Sequence, residues 1–237
     1  MSSFVDAILE RVLPKEVNEA RREMEFFDGP GGMFARVIPG NAGKPTISAP
    51  DVRDDGVVFD FGSMKEKDFG SRFRALNDVV MGGASDAQVR LVDGVARLAG
   101  ETEDQRGGFA SVKSRDFDVP LDLSAYTGLR VTCRGDGKRY KLILYDTNDS
   151  FNVAFHQEFD APKDTMGSVD LNFSDFVPVR RGRAVAKDDP EYRLTRGQKI
   201  VATQLMLSKF AYGMEEKNKG YAPGPFYIEI ARIQAYK

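Results

Sequence analysis

Histidine occurs once in this 237-residue chain, at His156, and cysteine once, at Cys133. A Ser-His-Asp or Cys-His catalyst would have to be built on His156, with a nucleophile beside it and a third group orienting the ring. No serine stands in a nucleophile-elbow pattern, and no Gly-rich phosphate loop follows a strand to open a helix. Zinc has too few His and Cys to hold it. Paired carboxylates remain, since glycoside hydrolysis needs only two, but their spacing in sequence selects no pair. The chain is therefore expected to be non-enzymatic, with no metal and no cofactor.

The two scarce residues have plain structural readings. Phe151, Val153, Phe155, Gln157 and Phe159 alternate with Asn152, Ala154, His156 and Glu158, which places His156 on the polar side of a strand, exposed or on a concave face. Leu129, Val131 and Cys133 share one face of another strand, so Cys133 is expected to be a small buried apolar residue. A single cysteine excludes an intramolecular disulfide and suits a reducing compartment.

Charge narrows the partners. The 34 basic and 36 acidic residues create no global basic field for nucleic acid or an anionic membrane. No run of about 18 apolar residues is present to span a bilayer. Asp6 and Glu10 in the first residues do not suit an uncleaved transit peptide. Protein partners are expected, with no small-molecule substrate.

Two regions must position whatever the chain binds. Residues 1–55 read as an arm. Phe4, Val5, Ile8, Leu9, Val12 and Leu13 recur at helical spacing after a Ser cap and stop at Pro14. Beyond a charged stretch, Gly and Pro from Gly29 to Pro50 prevent regular structure. Phe26, Phe27, Met33, Phe34, Val37 and Ile38 lie among these breakers and need a surface to cover. That surface is the parent domain or another protein. The arm carries seven bases and ten acids, a net of −3.

Residues 56–237 read as a succession of about ten strands. Val57 to Phe61 opens the series, and Asp93-Gly94 joins Gln88–Val92 to Val95–Ala99 in a hairpin. Tyr140 to Tyr145, apolar on both faces, reads as a central strand. Further strands are expected at Ser168–Asn172, Ile200–Lys209 and Pro225–Ala235. Ten strands suffice for two packed sheets in a jelly-roll arrangement. Val179 to Lys199 is a charged interruption, with seven bases against three acids, a net of +4. Such charge marks a solvated face or a contact with phosphate or acidic protein.

Four motifs stand out: Leu76-Asn77-Asp78-Val79-Val80-Met81-Gly82-Gly83-Ala84-Ser85, Arg106-Gly107-Gly108-Phe109-Ala110-Ser111-Val112, Arg134-Gly135-Asp136-Gly137-Lys138-Arg139-Tyr140 and Gln204-Leu205-Met206-Leu207-Ser208-Lys209-Phe210. Together they resemble the domain of the complex I intermediate-associated protein family over about residues 57–236. The resemblance implies an all-β, galactose-binding-like sandwich that helps large membrane complexes assemble. Leu205–Phe210, Gly224-Pro225-Phe226 and Ile233–Tyr236 resemble the photosynthetic branch more than the mitochondrial one. Phe73, where a Trp is common, and Met214-Glu215-Glu216 depart from the pattern.

The expected function is a scaffold, linker or assembly protein of a photosynthetic complex, such as a phycobilisome or a photosystem, at the stromal side of the thylakoid in a plastid. The alternatives are a respiratory complex I assembly factor in the mitochondrial matrix, and a carbohydrate-binding module. Partner contacts are assigned to Phe4, Leu9, Leu13, Phe26, Phe27 and Phe34 of the arm and to Arg180, Arg181 and Arg183 of the basic loop. Asn77, Asp78, Met81, Gly82, Gly83, Gly107, Gly108, Gly135, Asp136 and Gly137 are assigned to structure, because Asn and Asp bond turn amides and Gly permits close backbone approach. A partner surface built on these turns is the competing assignment.

Overall fold

Among the described residues, thirteen strands, many of them with alternating apolar residues, form two antiparallel sheets that share one core. The computed structural model describes residues 46–52, 55–78, 83–104, 107–149, 152–213 and 216–237. Phe4, Leu9, Leu13, Phe26, Phe27 and Phe34, with Met81 and Gly82, lie outside the described residues.

The strands are β1 (Val57–Asp60), β2 (Phe73–Asn77), β3 (Asp86–Val92), β4 (Val95–Thr102), β5 (Phe109–Ser114), β6 (Gly128–Gly135), β7 (Arg139–Tyr145), β8 (Ala154–Asp160), β9 (Gly167–Asn172), β10 (Val177–Arg180), β11 (Arg183–Ala184), β12 (Ala202–Ser208) and β13 (Gly224–Tyr236). One sheet runs β3-β4-β13-β6-β9, with β1 also paired to β13. The other runs β11-β10-β8-β7-β12-β5-β2. This is the sandwich expected from the strand pattern.

Inward residues come from both sheets: Leu98, Leu129, Val131 and Ile228 face Tyr140, Leu142, Leu144, Phe155 and Leu207. Cys133 is fully buried among them. Burying an apolar side chain of this size contributes about 1.5–3 kcal/mol, which is what alternation secures at each step along a strand. The β3–β4 turn has φ of 48° at Asp93 and 75° at Gly94, as a two-residue primed turn requires. Pairing is accordingly regular from Val92 with Val95 to Asp86 with Glu101.

A short helix α1 (Glu66–Arg72) was not expected from the sequence. It carries Glu66 and Asp68 in its first turn and Arg72 in its last, matching the helix dipole, and it buries only Phe69. Phe69 stacks on Phe73 at 5.0 Å, and Phe73 meets Phe59 edge-on at 5.1 Å. These rings border an apolar core cavity of about 30 Å³ with Ala96 and Leu98.

Residues 46–52 lie against the sandwich. Ile47 bridges Phe117 in parallel, Ala49 N donates to Asp118 at 3.0 Å, and Ile47, Ala49 and Val52 pack on the core.

Candidate functional site on the seven-stranded sheet

Asp78 is fully buried, and its carboxylate ties two of the signature motifs together. Oδ1 accepts from Ser85 N at 3.0 Å. Oδ2 accepts from Ser85 Oγ at 2.8 Å, Gly108 N at 2.6 Å and Phe109 N at 3.2 Å. Gly107 and Gly108 have φ of 86° and 96°, and a Cβ on Gly107 would fall 2.5 Å from Asp78 Oδ2. Glycine is required there for both reasons. Asn77 Nδ2 donates to Ala87 O at 2.9 Å, and Gly83 N donates to Asp78 O at 3.0 Å.

The other two motifs join the same scaffold. Lys209 N donates to Gly108 O at 2.9 Å, and Lys209 Nζ donates to Asp104 O at 2.7 Å. Asp136 Oδ1 receives Lys138 N at 3.0 Å and the Tyr140 hydroxyl at 3.1 Å in the turn after Gly135, where Gly137 has φ of 83°. Asn77, Asp78, Asp136 and Lys209 thus spend their hydrogen bonds inside the fold.

The outer face of the seven-stranded sheet is different. Strand register places Leu76, Ser111, Met206, Lys141 and Glu158 in one row across it, and Lys113, Gln204, Ile143 and His156 in the next. Phe109, Ile143, Ala154 and Met206 form a second apolar cluster there. Between them a chain of hydrogen bonds crosses four strands. Tyr145 OH donates to Gln204 Oε1 at 2.5 Å, Gln204 Nε2 to Ser111 Oγ at 2.8 Å, and Ser111 Oγ to Leu76 O at 2.7 Å.

Lys209–Gly213 crosses this face as a strap. Lys141, almost fully buried, donates to Phe210 O at 2.9 Å and Ala211 O at 2.7 Å. The Tyr212 hydroxyl accepts from Glu158 N at 3.2 Å. A Cβ on Gly213 would lie 3.7 Å from Gly182 O and Ala184 N, so the strap ends on the β10–β11 hairpin.

Burial beneath the strap sets the charges. It lowers the Lys141 amine to about 8 and raises the Glu158 carboxyl. Burial, reinforced by Lys141, holds His156 well below the ordinary imidazole range. His156 Nδ1 and Glu158 Oε1 are buried and find no hydrogen-bond partner among the described residues. His156 lies on the outward face, the side on which the alternation placed it, and is half-buried there rather than exposed. The floor of this region offers apolar contact and unspent acceptors without an aligned nucleophile.

The basic loop is largely self-engaged. Arg180 pairs with Asp189 at 3.3 Å and also with Glu191, while Arg193 grips Asp146 with contacts of 2.9 to 3.1 Å. Arg181, at φ 51°, and Arg183 flank Gly182 at the hairpin tip. Cys133 has its thiol pushed up to about 12 by burial. Sequence reasoning missed the strap and Lys141, because a lysine inside an apolar strand reads as one polar position. Tyr140–Tyr145 being apolar on both faces was the available signal.

Among the described residues no group of three or more side chains is placed to hold a metal, and no helix is long and apolar enough to cross a membrane. No curated protein matches the chain in sequence. Among solved structures, it is similar to the family 11 carbohydrate-binding module of the cellulosomal cellulase Lic26A-Cel5E of Clostridium thermocellum. Identity is 10%, covering 76% of this chain and 94% of that one, with a TM-score of 0.51. A family 11 module from the same organism, in complex with a β-1,3-1,4-mixed-linked tetrasaccharide, shows 13% identity over 69% of this chain and 86% of that one, with a TM-score of 0.44. The first likeness establishes the β-sandwich fold and nothing finer. The family model described as Complex I intermediate-associated protein 30 matches residues 59–230, most of the chain. The motif resemblance and this match agree, and the chain belongs to the complex I intermediate-associated protein 30 (CIA30) family.

Proposed function

We propose that the protein is a non-enzymatic assembly factor that holds a subunit or intermediate of a large membrane complex, with respiratory complex I in the mitochondrial matrix as the favoured setting. The family match carries this reading, since its description names a complex I intermediate. The geometry is consistent with it. Asp78 and Asp136 are consumed in the scaffold, the Cys133 thiol is buried, and burial holds His156 well below the ordinary imidazole range with no nucleophile aligned on it among the described residues.

The photosynthetic scaffold expected from the last strand motifs is the finer reading, and no comparison favours it over the respiratory one. Carbohydrate binding has only a fold-level likeness behind it. Tyr126, Tyr192, Tyr212 and Tyr221 are half-buried and form no exposed platform.

Copurification from the native host with a tagged full-length chain decides among these. Recovery of complex I subunits in a sub-assembly on native gels is expected. Recovery of thylakoid complexes would move the function to photosynthesis, and a free monomer that binds glycans would overturn assembly altogether. In the same pull-down, Phe26→Ser/Phe27→Ser should lose more partner than Arg180→Glu/Arg181→Glu, because buried aromatic anchors dominate interface energy.

A further inference from the structure

The outer face of the six-stranded sheet carries a row of charge that the scaffold does not balance. Register aligns Arg90 of β3 with Arg97 of β4, Arg97 with Glu229 of β13, and Glu229 with Arg134 of β6. Glu229 is sunk to 5% side-chain exposure, whereas Arg97 and Arg134 are 46% and 49% exposed. The carboxylate bridges them, Oε1 to Arg97 at 3.4 Å and Oε2 to Arg134. Arg90 is exposed and donates to Gln88 at 2.6 Å. Two guanidiniums therefore share the buried carboxylate and a third, Arg90, stands in register beside them, so the row carries a net of +2.

This arrangement is unfavourable by itself, since like charges directly opposed across a strand pair repel. It is also ordered. Arg97 sits 5.7 Å over the Tyr227 ring, whose hydroxyl donates to Asp164 at 2.6 Å. Guanidiniums already held by Glu229 and Tyr227 lose little further entropy when they bind an anion.

We propose that this row docks an acidic, extended segment of a partner subunit, gripped by Arg90, Arg97 and Arg134. The proposal rests on the assembly reading only in calling the partner a subunit. Four adjacent strands span about 14 Å, and three carboxylates on alternate residues of an extended chain span about the same distance. A single phosphate fits less well, because Glu229 already occupies the point where Arg97 and Arg134 converge and Arg90 stands on the next strand out. An anionic membrane fits less well too, since surface attraction of that kind uses clusters of several Lys and Arg.

The test is fluorescence anisotropy of the full-length protein with a labelled peptide of alternating glutamate and threonine, at about 50 and 300 mM salt. Controls are the lysine-threonine counterpart, inorganic phosphate as competitor, and phosphatidylcholine vesicles carrying about 30% phosphatidylserine. Binding of the acidic peptide alone is expected, weakening with salt. Arg90→Gln touches no ion pair and should weaken binding about 3- to 5-fold with unfolding unchanged. Arg232→Gln, on the same face but paired to Asp60, should leave it unchanged. No binding, an unaffected Arg90→Gln, or preference for phosphate or vesicles overturns the proposal. If Arg90→Gln weakens the peptide but the full-length variant copurifies the same proteins in the same yield, this row is not the partner's seat and assembly stands. If the wild type copurifies no partner, the assembly reading fails whatever the peptide does.

Discussion

Replacing Asp78 by alanine removes four acceptor contacts at once and leaves Ser85 N, Gly108 N and Phe109 N buried without an acceptor. Each hydrogen bond to a charged group contributes about 1.5–3 kcal/mol net, and each orphaned buried donor costs about 1–3 kcal/mol. The contacts belong to one carboxylate and do not add fully, so the expected loss is about 4–6 kcal/mol. That is a large fraction of the roughly 5–15 kcal/mol by which domains are stable. With a urea slope of about 2 kcal/mol/M the midpoint should fall by about 2–3 M, at unchanged slope. Asp78→Asn, which keeps the volume and one oxygen, should fall about half as far. Urea unfolding followed by circular dichroism measures both. An Asp78→Ala midpoint within about 0.3 M of the wild type would refute the assignment of this carboxylate as the clasp between the motifs.

Gly107→Ala should cost about 2 kcal/mol or more in the same assay, since the Cβ meets Asp78 Oδ2 at 2.5 Å in left-handed backbone. Cys133 should resist a thiol reagent at pH 8 in the native state and react only on unfolding, because its thiol is pushed up to about 12. Ala96→Val should fill part of the core cavity of about 30 Å³ and raise stability by at most about 0.7 kcal/mol, measured by thermal midpoint. Burial lowers the folded Lys141 amine to about 8 from the ordinary lysine value of 10.5, so the unfolded chain binds more protons between those values. Stability should therefore rise as pH climbs from about 8 to 10.5, by roughly 3 kcal/mol from this group, and Lys141→Met should abolish that rise.

Much of the fold was legible because its determinants are local. Asp93-Gly94 fixes a turn by positive φ at both residues, and with it the pairing of every residue from Asp86 to Glu101. The same turn already implied that Arg90 faces Arg97, although Glu229 and Arg134 join them only through the register of β13 and β6. Asp78 was legible as a turn residue, but its role as a clasp was not, since its partners lie up to 31 residues away. The strap was hidden for the same reason: Lys141 meets carbonyls about 70 residues downstream. Helix α1 has no side-chain cap and one buried residue, so neither capping nor periodicity announced it.

β13, which follows the other described strands in sequence, is the middle strand of its sheet. It hydrogen-bonds β1, β4 and β6, so these earlier strands lack their common neighbour until β13 is in place. During synthesis, the six-stranded half would wait, with its apolar side uncovered, until β13 emerges. Completion is then a single late closure across long sequence separations, intrinsically slow and open to misassociation. Removing β13 would therefore open this layer at its centre and strip β1, β4 and β6 of their shared partner at once.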